Sequence, residues 1–181
     1  MRFRTLTIVA VLTICLCGAA AAQQTVCSPQ TLIGTWVYNA SGWAIPNGTS
    51  TAVPVTFLGA ISISYGAKAI VSGPGTFIAG GAFPGTPIQA GTILEYTLDG
   101  TMEVTADCTG MLIYTMQVAG LPMPIGPLIE RVVVVPSKGE ILLMSVFSPL
   151  SKPLWTYTAK RISPLPTPVA WPVNPAPQAP N

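Results

Sequence analysis

The sequence has 181 residues, a length that fits one domain once the two ends are set aside. Only 8% of the residues are charged and the formal net charge is +2, so the chain lacks the basic stripe that nucleic-acid binding requires. It contains no histidine, which argues against serine–histidine–aspartate and cysteine–histidine catalysis and against most catalytic zinc sites. We therefore predict a non-enzymatic protein without metal or cofactor.

Residues 1–22 have the features of a signal peptide. Arg2 and Arg4 give a basic start, an apolar run extends from Leu6 to Leu16, and small residues lead to Ala22, after which we expect cleavage. The apolar run is shorter than the roughly 20 residues of a membrane-spanning helix. Bulky side chains before the cysteines of this segment disfavour a lipoprotein. The sequence thus predicts a secreted or periplasmic protein with no transmembrane segment after cleavage.

Two cysteines follow the predicted cleavage site, Cys27 and Cys108. In an exported protein they are expected to form a disulfide, and two unpaired thiols are the alternative. The bond would close a loop of about 80 residues, which in the chain-entropy model stabilises the fold by about 4 kcal/mol.

The first half of the mature chain predicts short strands separated by segments rich in glycine, proline and asparagine. The predicted strands are Thr31–Tyr38, Val55–Tyr65, Ala67–Ser72 and Thr76–Ala79. Two nearly uncharged loops, residues 39–54 and 79–91, lie between and after them.

The middle of the chain predicts a hairpin. Ile93–Leu98 and Thr101–Asp107 alternate apolar and polar residues, and Asp99-Gly100 between them is a typical two-residue turn. One apolar and one polar face are typical of an antiparallel sheet with one buried side.

The second half predicts more strands of the same kind: Met111–Val118, Leu128–Val135, Glu140–Ser148 and Leu154–Ile162. Successive hairpins favour an all-β fold, an antiparallel up-and-down β-barrel of about 8–10 strands over residues 23–163, because closure removes exposed sheet edges. Residues 164–181 are rich in proline and predict an extended, disordered tail.

Gly34-Thr35-Trp36 lies in the first predicted strand, and Arg161 ends the last, with Lys160 beside it. This arrangement resembles the lipocalins and the wider calycin group, and the segment DGTMEVTADCTG is similar to a feature of secreted bacterial lipocalin-like proteins of unassigned function. The resemblance implies a barrel closed by Gly34, Trp36 and Arg161, with the guanidinium packed on the indole ring.

Acidic residues leave two questions open. Glu95, Glu103 and Asp107 alternate onto the predicted solvent face, where solubilising side chains are the simpler interpretation and a paired-acid glycosidase the alternative. Glu130 and Arg131 lie in an apolar strand. They form either an outward ion pair or, with one of them inward, a single polar group in the barrel that needs a ligand or partner.

The function predicted from these patterns is binding of a small hydrophobic ligand inside the barrel. The candidate lining residues share the inward face of the predicted strands: Phe57, Ile61, Tyr96, Met102, Val104, Tyr114 and Met116. One alternative is a structural or surface-interaction protein with a filled barrel, since small barrels can be filled by their own side chains. A second alternative is a cyclase- or isomerase-type barrel enzyme.

Overall fold

The computed structural model describes residues 26–66 and 68–163. Eight antiparallel strands pair in chain order and close into a barrel. The predicted all-β, up-and-down barrel is therefore confirmed, whereas the predicted signal peptide (1–22) and tail (164–181) lie outside the described residues. No helix in the described part of the chain is long and apolar enough to cross a membrane.

The strands are β1 (Gly34–Pro46), β2 (Val53–Ser64), β3 (Ala69–Ala79), β4 (Ile93–Val104), β5 (Thr109–Val118), β6 (Ile125–Val135), β7 (Glu140–Phe147) and β8 (Ser151–Ser163). Short 3-10 helices span Pro29–Leu32 and Pro136–Lys138. The barrel closes through β1, which pairs with β2 on one side and with β8 on the other. Buried residues alternate with outward-facing ones along β1, β5 and β6, so one set of side chains fills the interior.

Several predicted strand boundaries are wrong because segments that were predicted as loops or breaks are paired as strand in the sheet. Much of the predicted loop 39–54 belongs to β1, which continues to Pro46. The two short strands Ala67–Ser72 and Thr76–Ala79 form the single strand β3, which runs through Pro74. The β2–β3 register has no paired residue at Pro74, because proline has no N–H to give to a ladder.

The predicted Asp99-Gly100 turn is also wrong, since β4 runs unbroken through this dipeptide. Gly100 is paired with Tyr114 of β5, and a Cβ atom at Gly100 would lie 2.5 Å from the Cβ atom of Tyr114. The glycine is therefore required for close approach between strands rather than for a turn. Leu98 and Met102 are four positions apart, which is an even number, so the predicted inward facing of both halves of β4 holds.

The true β4–β5 turn lies at residues 105–108. The Asp107 Oδ1 atom accepts hydrogen bonds from the backbone N–H and the hydroxyl of Thr109, at 3.2 and 2.9 Å, and another from the hydroxyl of Thr105. These bonds hold the pKa of Asp107 below its usual value. Cys108 follows with a left-handed φ of 68° and forms the predicted disulfide with Cys27.

The N-terminal segment covers the barrel end where that disulfide lies. Residues that the sequence placed at the start of a strand, from Thr31, instead form the 3-10 helix, whose Leu32 is fully buried. The Trp36 indole N–H donates to the Leu32 carbonyl oxygen at 2.8 Å. The Arg161 guanidinium lies 4.5 Å from the centroid of the Trp36 ring and donates to the Thr31 carbonyl oxygen. We call this region the pinned end.

Candidate ligand site in the barrel interior

A cluster of polar side chains lies in the middle of the apolar barrel. Glu130 is fully buried. Its Oε1 atom accepts a hydrogen bond from the Tyr114 hydroxyl at 3.1 Å, and its Oε2 atom accepts one from the Tyr157 hydroxyl at 2.5 Å. The hydroxyl oxygens of Tyr38 and Tyr96 lie 2.5 Å apart. Five strands, β1, β4, β5, β6 and β8, thus bring one carboxyl and four phenols together.

Glu130 faces inward because of its position in β6. Leu128, Val132 and Val134 are buried at the same two-residue period, which places residue 130 inside and Arg131 on the exposed side. Of the two interpretations open from the sequence, the structure shows the single polar group inside the barrel. Arg131 makes no ion pair with Glu130, since their side chains lie on opposite sides of the sheet.

Burial decides how this cluster titrates. Desolvation raises the pKa of Glu130 to about 7, although hydrogen bonds from Tyr157, Tyr114 and Trp155 act in the opposite direction. Desolvation also raises the pKa of Tyr38 to about 12 and moves the pKa values of Tyr96, Tyr114 and Tyr157 well above the usual phenol range. The phenols therefore stay protonated, and Glu130 is the member of the cluster that changes charge near neutral pH.

Glycines on neighbouring strands make room for the tyrosine rings. Three rings each lie opposite a glycine in the strand register: Tyr38 with Gly59, Tyr96 with Gly75, and Tyr114 with Gly100. A Cβ atom at Gly75 would lie 2.4 Å from the Tyr96 Cζ atom, so any larger residue would displace the ring. Gly59 and Gly75 thus let the Tyr38 and Tyr96 rings lie over the sheet and carry their hydroxyls toward the barrel centre, whereas Gly100 lies against the backbone and Cβ atom of Tyr114.

Two small cavities lie in the barrel interior, and one of them adjoins this cluster. One of about 20 Å³ has Glu130 in its wall, and a second of about 40 Å³ lies toward one barrel end. Phe57, Met116 and Trp155 line both cavities. Because a cavity of roughly 10–15 Å³ by this measure holds one water, the interior is largely filled. A ligand of more than a few atoms must therefore displace side chains.

The second cavity is covered by the β3–β4 loop, residues 80–92, which we call the loop end. Phe83 and Ile88 turn inward and are 5% and 2% exposed. The Phe83 ring meets the Phe77 ring edge-on at a centroid distance of 6.0 Å. The Phe83 N–H donates to the Ile88 carbonyl oxygen at 3.0 Å, so the two buried residues are held within one local turn.

The structure brings most of the predicted lining residues together. Phe57, Ile61, Tyr96, Tyr114 and Met116 line the cavity beside Glu130. Met102 and Val104 line neither of the two cavities, because they lie on β4 toward the pinned end.

Sequence reasoning missed three aromatic lining residues, Tyr38, Trp155 and Tyr157. The alternation of inward and outward residues along a strand could have identified all three. Tyr38 follows Trp36 on one face of β1, and Trp155 and Tyr157 precede Arg161 on one face of β8. The resemblance had already implied that Trp36 and Arg161 pack together to close the barrel, and alternation along each strand extends their face to the missed residues.

The surface carboxylates do not join the interior site. Glu95 accepts a hydrogen bond from the Thr76 hydroxyl at 3.1 Å, and Glu103 forms an ion pair with Lys68. Asp107 belongs to the β4–β5 turn. Within residues 26–66 and 68–163 there is also no group of three or more potential metal ligands.

Comparisons with known proteins do not identify a family for this chain or a ligand for this site. The similarity to lipocalins remains a prediction that depends on Gly34, Trp36 and Arg161, and the barrel itself is compatible with it. No protein family matches this chain, and it has no significant match among curated proteins or solved structures.

Proposed function

We propose that this protein is an exported barrel that binds a small, largely apolar ligand in its interior, with one polar group of the ligand against Glu130. The observation that carries the proposal is the fully buried carboxyl in the wall of an internal cavity. Binding sites for small molecules are typically apolar cavities with a few fixed polar groups that orient the ligand.

Stability alone gives no reason for a carboxyl at this position. Burying an ionisable group costs free energy even when it is hydrogen-bonded, and an apolar side chain of similar volume is often neutral or stabilising. The rise in the pKa of Glu130 to about 7 reflects that cost. A ligand that uses the carboxyl accounts for its presence, and the adjoining cavity provides a place for that ligand.

The arrangement favours binding over catalysis by paired acids. Two carboxyls on either side of the substrate are needed for that chemistry, whereas Glu130 is the one carboxyl that faces the interior in the described part of the chain. The wall around it is made of aromatic and aliphatic side chains. Such a wall can hold an apolar molecule and exclude water, which strengthens a single polar contact.

The route to the site passes the loop end. Phe83 and Ile88 are held there by apolar contacts and short-range hydrogen bonds. Such loops open at lower free energy than strands in a sheet. Entry of a ligand through the 40 Å³ cavity therefore requires the loop to move and the rings of Phe57 and Trp155 to adjust.

Calorimetric titration with 1-hexanol tests the proposal. We expect saturable binding to the wild-type protein. Ala40 lines the cavity beside Glu130, so the Ala40→Val variant should bind about tenfold more weakly, a loss of about 1.4 kcal/mol. The neighbouring Ser41 is exposed on the outer face, and Ser41→Val serves as the matched control with unchanged affinity.

Two results would contradict interior binding. If titration of the wild-type protein with 1-hexanol gives no saturable heat of binding, the alternative of a filled, structural barrel is favoured. Equal affinities for wild type and Ala40→Val would place the alcohol away from the cavity beside Glu130 and contradict the proposed site.

A further inference from the structure

We propose that the polar group of the ligand is a protonated amine, so that the interior is a site for a small organic cation with Glu130 as its counter-charge. The inference depends on the proposed function and specifies the class of ligand. It follows from the charges, hydrogen-bonding groups and ring faces that surround the cavity.

The charge balance of the interior is the first argument. The described lysines and Arg131 are exposed, and Arg161 is engaged with Trp36 and Thr31 at the pinned end. The described interior therefore holds no cation to compensate an ionised Glu130. A buried, uncompensated charge is strongly unfavourable. A cationic ligand would supply the missing charge, whereas a ligand carboxylate would face repulsion.

Hydrogen bonding is the second argument. Glu130 already accepts bonds from Tyr114 and Tyr157, and a carboxylate has further lone pairs available. A primary ammonium group has three N–H donors, which the remaining lone pairs of the ionised Glu130 carboxylate can accept.

The aromatic walls are the third argument. The Tyr38 and Tyr157 rings lie 5.7 Å apart between centroids, and the Phe57 and Trp155 rings lie 5.4 Å apart. All four line the cavity that contains the Glu130 carboxyl. Aromatic faces attract ammonium groups, most strongly where water is excluded. The cavity of about 20 Å³ has room for one group of the size of water or ammonium.

The titration of Glu130 fits such a ligand. The titratable groups that face it are Tyr38 from β1, Tyr96 from β4, Tyr114 from β5 and Tyr157 from β8, and all four phenols stay protonated near neutral pH. Without ligand, Glu130 can avoid its charge by holding a proton, because its pKa is about 7. Binding of an alkylammonium ion to protein in which Glu130 is protonated requires the carboxyl to ionise, and its proton is released to solvent.

The test compares three probes with the same six-carbon chain: hexylamine, 1-hexanol and hexanoate. At pH 8, we expect the wild-type protein to bind hexylamine about tenfold more tightly than 1-hexanol, which is about 1.4 kcal/mol, and hexanoate most weakly. The Glu130→Gln variant should lose the preference, so that it binds hexylamine no more tightly than 1-hexanol. Glu95→Gln, which removes an acid from the outer face of β4, is the matched control and should keep the preference.

A pH series on the wild-type protein gives a second measurement that needs no variant. An alkylamine has a pKa near that of lysine, about 10.4, and stays protonated throughout. Hexylamine affinity should therefore rise about tenfold from pH 6 to pH 8 as Glu130, with a pKa of about 7, ionises. The affinity for 1-hexanol should change less.

The outcomes separate the two proposals. If 1-hexanol binds and hexylamine binds no more tightly, the cation site is wrong and the apolar ligand site stands. A preference for hexylamine that persists in Glu130→Gln, or is independent of pH in the wild type, also overturns the assignment to Glu130. If none of the three probes binds, both proposals are wrong.

Discussion

The two ends of the barrel are closed by different means. At the pinned end, a 3-10 helix, a disulfide and the stacked Trp36 and Arg161 side chains hold the chain in place. Leu32 and Met102 there are fully buried. At the loop end, closure depends on Phe83 and Ile88, and the larger of the two cavities lies beneath them.

The difference shows how a small barrel can be both stable and adaptable. Covalent and charge-assisted contacts concentrate at one end, where they fix the relative positions of β1, β4, β5 and β8. The other end is held by contacts that can separate locally while the sheet stays intact. The Glu130 cluster lies between the two, and its four tyrosines belong to the strands that the pinned end keeps in register.

The largest expected effect concerns the pinned end. Replacing Cys27 and Cys108 together by serine removes a cross-link between residues 81 positions apart. In the chain-entropy model, this lowers the free energy of unfolding by about 4 kcal/mol. Urea denaturation measures the loss. A change below about 1 kcal/mol would show that the helix and the Trp36–Arg161 contact hold this end without the disulfide.

The next effect concerns the cluster between the ends. Because the pKa of Glu130 is raised on folding from 4.5 to about 7, its contribution to stability is fully present below pH 4.5 and is lost as the pH rises through 7. We expect the free energy of unfolding of wild type, relative to Glu130→Gln, to fall by roughly 3 kcal/mol between pH 4.5 and 7.5.

Urea denaturation of both proteins across this range measures that difference. The lowered pKa of Asp107 acts in the opposite direction, and it cancels because both proteins contain Asp107. Parallel stability curves would mean that Glu130 is not desolvated in the folded protein.

The smallest stability effect is expected at the loop end. Phe83→Ala removes a buried ring from a loop that can relax around the gap, so we expect a loss of about 2 kcal/mol, below the usual cost of deleting a core ring. Stopped-flow tryptophan fluorescence should show faster association of 1-hexanol, because Trp155 lines the cavity beneath this loop.

Leu32→Ala at the pinned end is the control for that experiment. It deletes a fully buried side chain, so it should destabilise by about 2–5 kcal/mol and leave the association rate unchanged. Faster association in Leu32→Ala, together with an unchanged rate in Phe83→Ala, would show that the alcohol enters at the other end.

Much of the fold could be predicted from the alternation of apolar and polar residues along each strand. The inward positions of Tyr96, Tyr114 and Met116 follow from a period of two along each strand, which requires no knowledge of neighbouring strands. The disulfide followed from Cys27 and Cys108 being the two cysteines after the predicted leader. Strand limits were less predictable, because the Asp99-Gly100 and Pro74 regions resemble turns and become strand only through pairing with their neighbours.

The sequence by itself determined an all-β fold and the alternation of faces along its strands, but it left open whether Glu130 and Arg131 form an outward ion pair or place one of the two inside. Only the tertiary structure decided that Glu130 meets Tyr114 and Tyr157 and shares a cavity with Tyr38. The physical reason is that facing is a local property of a strand, whereas register between strands is set by barrel closure. Closure pairs β1 with β8, and it thereby brings residues that are far apart in the chain around one buried carboxyl.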